Sequence, residues 1–161
     1  MRVFVDTSAF YALVSENDHA HQAARAIHEG LKHAAAPLVT TNYVLLECVS
    51  LLQRRHGMSH AERFGDFVSQ QVDVVWLTRD QHQAAWTYWK QAGMRKLSFV
   101  DCSCFIVMRH LGLQRAFAFD EQFAQAGFTT LNPTQFPDRV EEPRGAYRVK
   151  RRRVAPHAEA H

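Results

Sequence analysis

Four carboxylates stand where an ionisable side chain needs an explanation. Asp6 and Asp120 each follow directly on a short apolar run, Asp101 lies in the first turn of an apolar segment, and Glu47 borders the apolar stripe of a predicted helix. No Lys or Arg lies within three residues of Asp6, Glu47 or Asp101. Carboxylates brought together without basic partners take up protons unless a cation lies among them, and ligation by oxygen alone selects Mg²⁺ or Mn²⁺.

The segment 98-SFVDCSCF-105 admits three explanations for its acid: a cysteine metal site, a helix cap, or a carboxylate ligand for a hard cation. Cys102 and Cys104 point about 200° apart on a helix, so they cannot hold one ion together. No His-Glu-x-x-His motif or spaced Cys-x-x-Cys pair supports zinc elsewhere. Ser98 already supplies a plausible cap, which leaves Asp101 as a candidate ligand.

Each acid also has an ordinary explanation when it is taken alone. Asp is common in turns and helix caps after a strand, which covers Asp6 and Asp120. Glu47 lies at the margin of an apolar stripe, where a glutamate can simply stay solvated. The hypothesis of a metal site therefore depends on the four acids occurring together.

Short β-rich runs alternate with helical patterns along the chain. This order predicts an α/β fold, a three-layer sandwich with a mainly parallel central sheet flanked by helices. In such a sheet the functional crevice lies beyond the carboxyl ends of the strands, where Asp6 and Asp120 are expected. Asn42 is predicted to cap one helix, and Ser59 with Glu62 to form a capping box for the next.

Composition predicts a single globular domain at residues 1–132 with a separate tail at 133–161. The chain has 161 residues, 47% of them hydrophobic, and lacks an apolar stretch long enough to span a membrane or act as a signal peptide. We therefore expect a cytoplasmic protein whose three cysteines are reduced core residues.

The net charge of +3 comes from the tail. A basic cluster there is predicted to contact RNA phosphates, although such runs are more often solvated, disordered ends. The residues of that cluster are Arg148, Lys150, Arg151, Arg152 and Arg153.

Four segments in series carry a resemblance to a known family. They are 3-VFVDTSAF-10, 39-VTTNYVLLE-47, 97-LSFVDCSCF-105 and 118-AFDEQFAQAGF-128. None is specific alone, but in this order, over about residues 1–132, the chain resembles the PIN-domain ribonucleases and in particular the VapC-type toxins of bacterial toxin–antitoxin pairs.

The resemblance implies a nuclease that binds Mg²⁺ or Mn²⁺ and hydrolyses phosphodiester bonds of RNA. It also implies a homodimer held inactive by a small antitoxin. The acids that it implies as metal ligands and catalytic residues are Asp6, Glu47, Asp101 and Asp120. The hydroxyls that it implies as orienting groups for carboxylates or waters are those of Thr7, Ser8 and Ser103.

Other functions fit the sequence less well. No Gly-x-Gly-x-x-Gly or Walker-type loop follows a strand, and a phospho-receiver domain would want an acidic pair at Asp6 and a late-strand Lys, which are missing. The remaining alternative is a catalytically silent PIN-like module that binds RNA or protein.

Two further groups of residues have side chains of the types that contact RNA. The face shared by Trp86 and Trp89 indicates core or dimer packing rather than a base-stacking platform. The basic residues Arg54, Arg55 and His56 suit a helix C-terminus, but they could also line an RNA approach.

Overall fold

The computed structural model describes residues 1–136, in which five short strands alternate with seven helices. The strands are β1 (Val3–Val5), β2 (Leu38–Thr41), β3 (Val72–Val75), β4 (Arg115–Phe117) and β5 (Thr129–Thr130). The helices are α1 (Thr7–Val14), α2 (His21–His33), α3 (Asn42–His56), α4 (Met58–Gln71), α5 (Arg79–Ala92), α6 (Phe99–His110) and α7 (Glu121–Gln125), and a 3₁₀ turn follows at Pro133–Gln135.

The strands form one sheet in the order β3-β2-β1-β4-β5, and every described pairing is parallel. Helices α1–α4 connect β1, β2 and β3 in one direction, and α5–α7 lie on the connections that run the other way. Right-handed crossovers place these two groups on opposite faces of the sheet. The predicted three-layer α/β fold is confirmed.

The order of the strands reverses between β1 and β4. Beyond the carboxyl ends of these two neighbours the chain leaves in opposite directions, which opens a crevice at that edge of the sheet. Asp6 ends β1, and Asp120 lies three residues beyond β4. The topology therefore brings to one crevice two acids that are 114 residues apart in the chain.

The sheet and helices are held together by a core of aliphatic and aromatic side chains. Phe105 on α6 packs edge-on against Phe123 of α7, with ring centroids 5.1 Å apart, and lies 5.6 Å from the Phe128 ring. Burial of Phe105 and Phe123 is essentially complete. This packing fixes α6, and with it Asp101, against the sheet. Among residues 1–136 no helix is both long and apolar enough to cross a bilayer.

Two predicted helix starts were wrong. Thr41, not Asn42, caps α3 by accepting a hydrogen bond from the Val44 N–H at 3.2 Å. The Asn42 side chain instead accepts from the Leu77 N–H at 3.0 Å, which ties α3 to the segment after β3. Helix α4 begins at Met58, immediately after Gly57, whose positive φ of 88° turns the chain, so Ser59 lies inside the helix and forms no capping box.

The segment after β5 begins with structure of its own. The 3₁₀ turn packs on α2, and the Phe136 ring lies where a Cβ on Gly30 would stand. The predicted domain boundary after residue 132 thus falls just before this turn. The predicted RNA-binding residues, which lie outside the described part of the chain, are Arg148, Lys150, Arg151, Arg152 and Arg153.

Candidate active site

Asp6 ends the central strand and caps the helix that follows. Its Oδ2 accepts hydrogen bonds from the Ser8 N–H at 3.0 Å and the Ser8 hydroxyl at 2.7 Å. Its own N–H donates to the Phe117 carbonyl of β4 at 3.0 Å. Asp6 is only 3% exposed, so its carboxylate is held in one orientation at the crevice.

Asp120 occupies the matching position after β4. One of its carboxylate oxygens accepts from the Gln122 N–H at 2.9 Å and caps α7. Ser8 joins the two strand ends, because its hydroxyl oxygen accepts the Phe119 N–H at 2.9 Å while its O–H donates to Asp6. The orienting role predicted for Ser8 therefore has a matching contact in the structure.

Asp101 serves as part of a helix cap as well as being a buried acid. Its Oδ2 accepts from the Ser98 N–H at 2.9 Å, and the Ser98 hydroxyl accepts from the Asp101 N–H at 3.0 Å, which completes a capping box. Asp101 is only 7% exposed, whereas most capping side chains are solvated. The helix-cap explanation therefore applies to Asp101, and its role as a metal ligand stays a prediction.

Glu47 lies on α3 and is half-buried. Its charge reaches the others, since Glu47 and Asp120 both help to raise the pKa of Asp101 after the larger effect of burial. Burial likewise raises the pKa of Asp6 from its ordinary 3.8 to about 7, and the charge of Asp101 adds to this against the hydrogen bonds from Ser8. The four acids therefore interact electrostatically.

No cation of the described chain neutralises these acids. The ion pairs within residues 1–136 join Arg2 to Asp73 and His19 to Asp18, and neither pair includes one of the four acids. Buried carboxylates with raised pKa values and without a basic partner fit a divalent cation, which favours ionisation and accepts oxygen ligands.

The carboxylate oxygens suit a divalent cation chemically, but they lie too far apart to bind one as placed. Among residues 1–136, no group of three or more His, Cys, Asp or Glu side chains lies close enough together to hold a metal ion as placed. The capping hydrogen bonds explain this, because Asp6, Asp101 and Asp120 each have one oxygen turned toward a backbone N–H. The donor set fits the ion, and its carboxylates would need to rotate to close around it.

The other two predicted orienting hydroxyls contact no carboxylate. Ser103 donates to the Val100 carbonyl of its own helix at 2.6 Å, which is the usual bond for a buried helical serine. The Thr7 hydroxyl is buried and has no oxygen or nitrogen partner among the described residues. It lies beside Cys48, where it lowers the pKa of the thiol against the larger effect of burial, which raises it.

The cysteines are core thiols, as predicted. Cys48, Cys102 and Cys104 are buried and unpaired. Burial raises the pKa of Cys102 to about 11 and raises that of Cys104 well above its ordinary value. Thiols in this state are poor metal ligands.

The groove beside the two strand ends includes a residue that the sequence did not single out. Ser8, Tyr11, Asp18, Phe119 and Asp120 are among the side chains that line this groove of about 490 Å³. Tyr11 follows Ser8 by one helical turn and shares its face of α1. The three-residue spacing of Ser8 and Tyr11 on one predicted helix was the sequence signal that could have identified Tyr11.

Trp86 and Trp89 are more exposed than core packing predicts, at 44% and 37%. Their rings lie 5.2 Å apart, and both rings contact Phe99, two residues before Asp101. The prediction that this pair packs in the core is therefore wrong, and the prediction that it forms a dimer contact stays a prediction.

Comparisons with known proteins agree with this arrangement. The PIN domain family matches the chain over residues 3–129. The 23S rRNA-specific endonuclease VapC20 of Mycobacterium tuberculosis is 37% identical over 134 residues, which make up 81% of this chain and 98% of that protein.

Solved structures give the same picture. The crystal structure of M. tuberculosis VapC20, described as a sarcin–ricin loop cleaving toxin, matches at a TM-score of 0.73 and 36% identity, over 81% of this chain and 99% of that one. VapBC2 from Rickettsia felis, bound to a promoter DNA fragment, matches at 0.62 and 10% identity, over 81% and 98% of the two chains. At that identity the second match shows the fold alone.

Proposed function

The chain belongs to the PIN-domain family, and from this membership we propose that it is a metal-dependent endoribonuclease acting as the toxin of a toxin–antitoxin pair. The strongest support is its 37% identity to an rRNA-specific endonuclease across most of both chains. A ribosomal or messenger RNA substrate would place the enzyme in the cytoplasm.

The observation that carries the proposal is the set of acids at the reversal of strand order. Asp6 and Asp120 follow neighbouring strands at that edge of the sheet, and Asp101 on α6 interacts electrostatically with both. Buried acids that raise each other's pKa values destabilise a fold, so a chain that retains them without basic partners gains something else from them.

In this proposal Asp6 and Asp101 hold Mg²⁺ or Mn²⁺, and Glu47 and Asp120 complete the site. The bound ion would polarise a phosphate oxygen and lower the pKa of the attacking water. Ser8 keeps Asp6 oriented through its two hydrogen bonds and fixes the strand end that carries Asp120.

The test is cleavage of a defined RNA. Purified protein is incubated with a hairpin of the 23S rRNA sarcin–ricin loop and with total RNA, in Mg²⁺, in Mn²⁺ and in EDTA. The matched variants are Asp6→Asn and Asp101→Asn, because an asparagine oxygen can still accept the capping hydrogen bond while the charge is lost. We expect cleavage by the wild type in either metal, and a loss of at least about 100-fold in each variant.

The alternative, a silent PIN-like module, makes the opposite prediction. It would bind RNA or protein without cleaving any of these RNAs in any metal, and the two asparagine variants would match the wild type. Cleavage that persists in EDTA would contradict the metal site itself.

We also propose a homodimer that forms through the exposed aromatic surface of Trp86, Trp89 and Phe99. Leu46 on α3 and Met94 after α5 are exposed as well, at 69% and 48%. Exposed Trp and Met are enriched at protein–protein interfaces.

Light scattering coupled to size exclusion tests this assembly. A Trp86→Ser/Trp89→Ser double variant should run as a monomer, whereas the control Trp76→Ser, at a residue that is 74% exposed, should not change the mass. A double variant with the mass of the wild type would reject this surface as the interface.

The antitoxin remains the least defined partner. Family membership implies a small protein encoded beside the toxin gene. Co-expression of the adjacent open reading frame should yield a complex that no longer cleaves the hairpin, and failure to recover any complex would count against this part of the proposal.

A further inference from the structure

A basic cluster surrounds Tyr11, one of the residues that line the groove. The Arg55 guanidinium lies over the Tyr11 ring, 5.5 Å from its centroid, and one guanidinium nitrogen donates to the Tyr11 hydroxyl at 3.4 Å. His56 Nε2 lies 3.3 Å from the same hydroxyl, and the centroid of the tilted His60 ring lies 5.3 Å from that of His56. These contacts fix the direction of side chains that would otherwise be free at a helix end.

Tyr11 connects this cluster to the candidate active site. It lines the groove together with Ser8, Phe119 and Asp120. Ser8 and Tyr11 stand three residues apart on α1, a rise of about 4.5 Å, so one face of the helix carries both the hydroxyl bonded to Asp6 and the ring that supports Arg55.

The Arg55 guanidinium has no acidic partner among residues 1–136. Within residues 1–136 neither Arg55 nor His56 forms an ion pair with a carboxylate. The groove itself carries Asp18, Asp120 and Glu121, which repel an RNA backbone. A strand that enters the groove therefore needs cations close by, and the Tyr11 side of the groove provides them.

A charge on the helix C-terminus is the competing explanation. Arg54, Arg55 and His56 all lie in the last turn of α3 and interact favourably with its dipole. That effect applies equally to Arg54 and Arg55. Only Arg55 is held on Tyr11, which the dipole does not require.

We propose that Arg55, supported by Tyr11 and His56, binds an RNA phosphate next to the one that is cleaved. This inference rests on the proposed ribonuclease function and adds a substrate-binding residue to it. The planar guanidinium suits phosphate, since it can donate two parallel hydrogen bonds.

The test compares Arg55→Gln with Arg54→Gln, a change of the same charge at the adjacent exposed residue. Both are made in full-length Asp6→Asn protein, and binding of a fluorescein-labelled decauridylate is measured in Mg²⁺ at salt from about 50 to 300 mM. Arg55→Gln should weaken binding about tenfold and reduce the slope of log affinity against log salt by about 0.7, the value of one phosphate contact on a single strand. Arg54→Gln should leave the slope unchanged.

Kinetics on the sarcin–ricin hairpin separate binding from folding. In otherwise wild-type protein, Arg55→Gln should raise KM with little change in kcat, and Tyr11→Phe should raise KM less because the ring still supports the guanidinium. Equal salt slopes for the Arg54 and Arg55 variants would overturn the inference even if the wild type cleaves RNA. If the wild type binds RNA without cleaving it, the slopes still decide the role of Arg55 while the nuclease proposal fails.

Discussion

Replacing Asp6 by Asn in the metal-free protein should make stability much less dependent on pH. Burial raises the pKa of Asp6 in the folded protein to about 7, whereas the unfolded chain has the ordinary value of 3.8. The folded state thus holds this proton more tightly than the unfolded state. The contribution of Asp6 to stability is therefore highest below about pH 4, falls as the pH rises from there to about 7, and stays low above it.

The size of the effect follows from the same two values. Each pH unit well inside this window costs about 1.4 kcal/mol per proton, and the slope halves at the folded pKa, so the wild type should lose about 2 kcal/mol between pH 5 and pH 7 through Asp6 alone. Asn carries no charge, and its side-chain oxygen can still accept from Ser8 and cap α1. The stability of Asp6→Asn relative to wild type should therefore grow by about 3 kcal/mol from pH 5 to pH 8.

Urea unfolding in EDTA at both pH values measures this difference. The variant serves as the control for every other titrating group, because those groups are shared. Mg²⁺ at about 100 times its Kd should then stabilise the wild type at pH 8 by about 2.7 kcal/mol and the variant by much less. A difference between the two proteins that stays constant from pH 5 to pH 8 would refute the argument from burial.

Two other comparisons test local features. Gly65→Ala should stabilise the protein by about 0.5–1 kcal/mol, since Gly65 lies within a helix and an added Cβ meets nothing within 4 Å. Gly30→Ala should be less stable than this control variant by about 1–3 kcal/mol, because the added Cβ displaces the Phe136 ring. Equal shifts of the melting temperature in the two variants would show that Phe136 is not docked on Gly30. Asp101→Asn should be more stable to urea unfolding than Asp101→Ala by about 1 kcal/mol, because only Asn can accept a hydrogen bond from the Ser98 N–H. Equal free energies of unfolding would reject the capping box. Both variants should lose RNA cleavage.

The alternation of strands and helices was readable from the sequence because each element has a local signal. The start of α5 is an example, since Thr78 followed three residues later by Gln81 is the pattern of a capping box and the structure contains both of its hydrogen bonds. Asn42 failed because its side chain is recruited by Leu77, 35 residues away, and Thr41 caps in its place. Propensity at a helix start cannot anticipate such a distant partner.

The candidate site divides in the same way. Asp6 and Asp120 follow apolar strands, which the sequence shows directly, but only the strand order places β1 beside β4. The capping role of Asp101 was missed because Ser98 seemed sufficient as a cap, whereas the box needs both side chains. The contact between Tyr11 and Arg55 spans 44 residues and depends on how α1 packs on α3, which no local pattern encodes.

The most direct test of the metal site is a crystal structure of the wild-type protein grown with Mn²⁺, recorded at a wavelength where manganese scatters anomalously. The account predicts an anomalous peak bonded to carboxylate oxygens of Asp6 and Asp101, within reach of Glu47 and Asp120, and a loss of that peak in Asp6→Asn crystals. Saturating Mn²⁺ with no peak among these four side chains would contradict it.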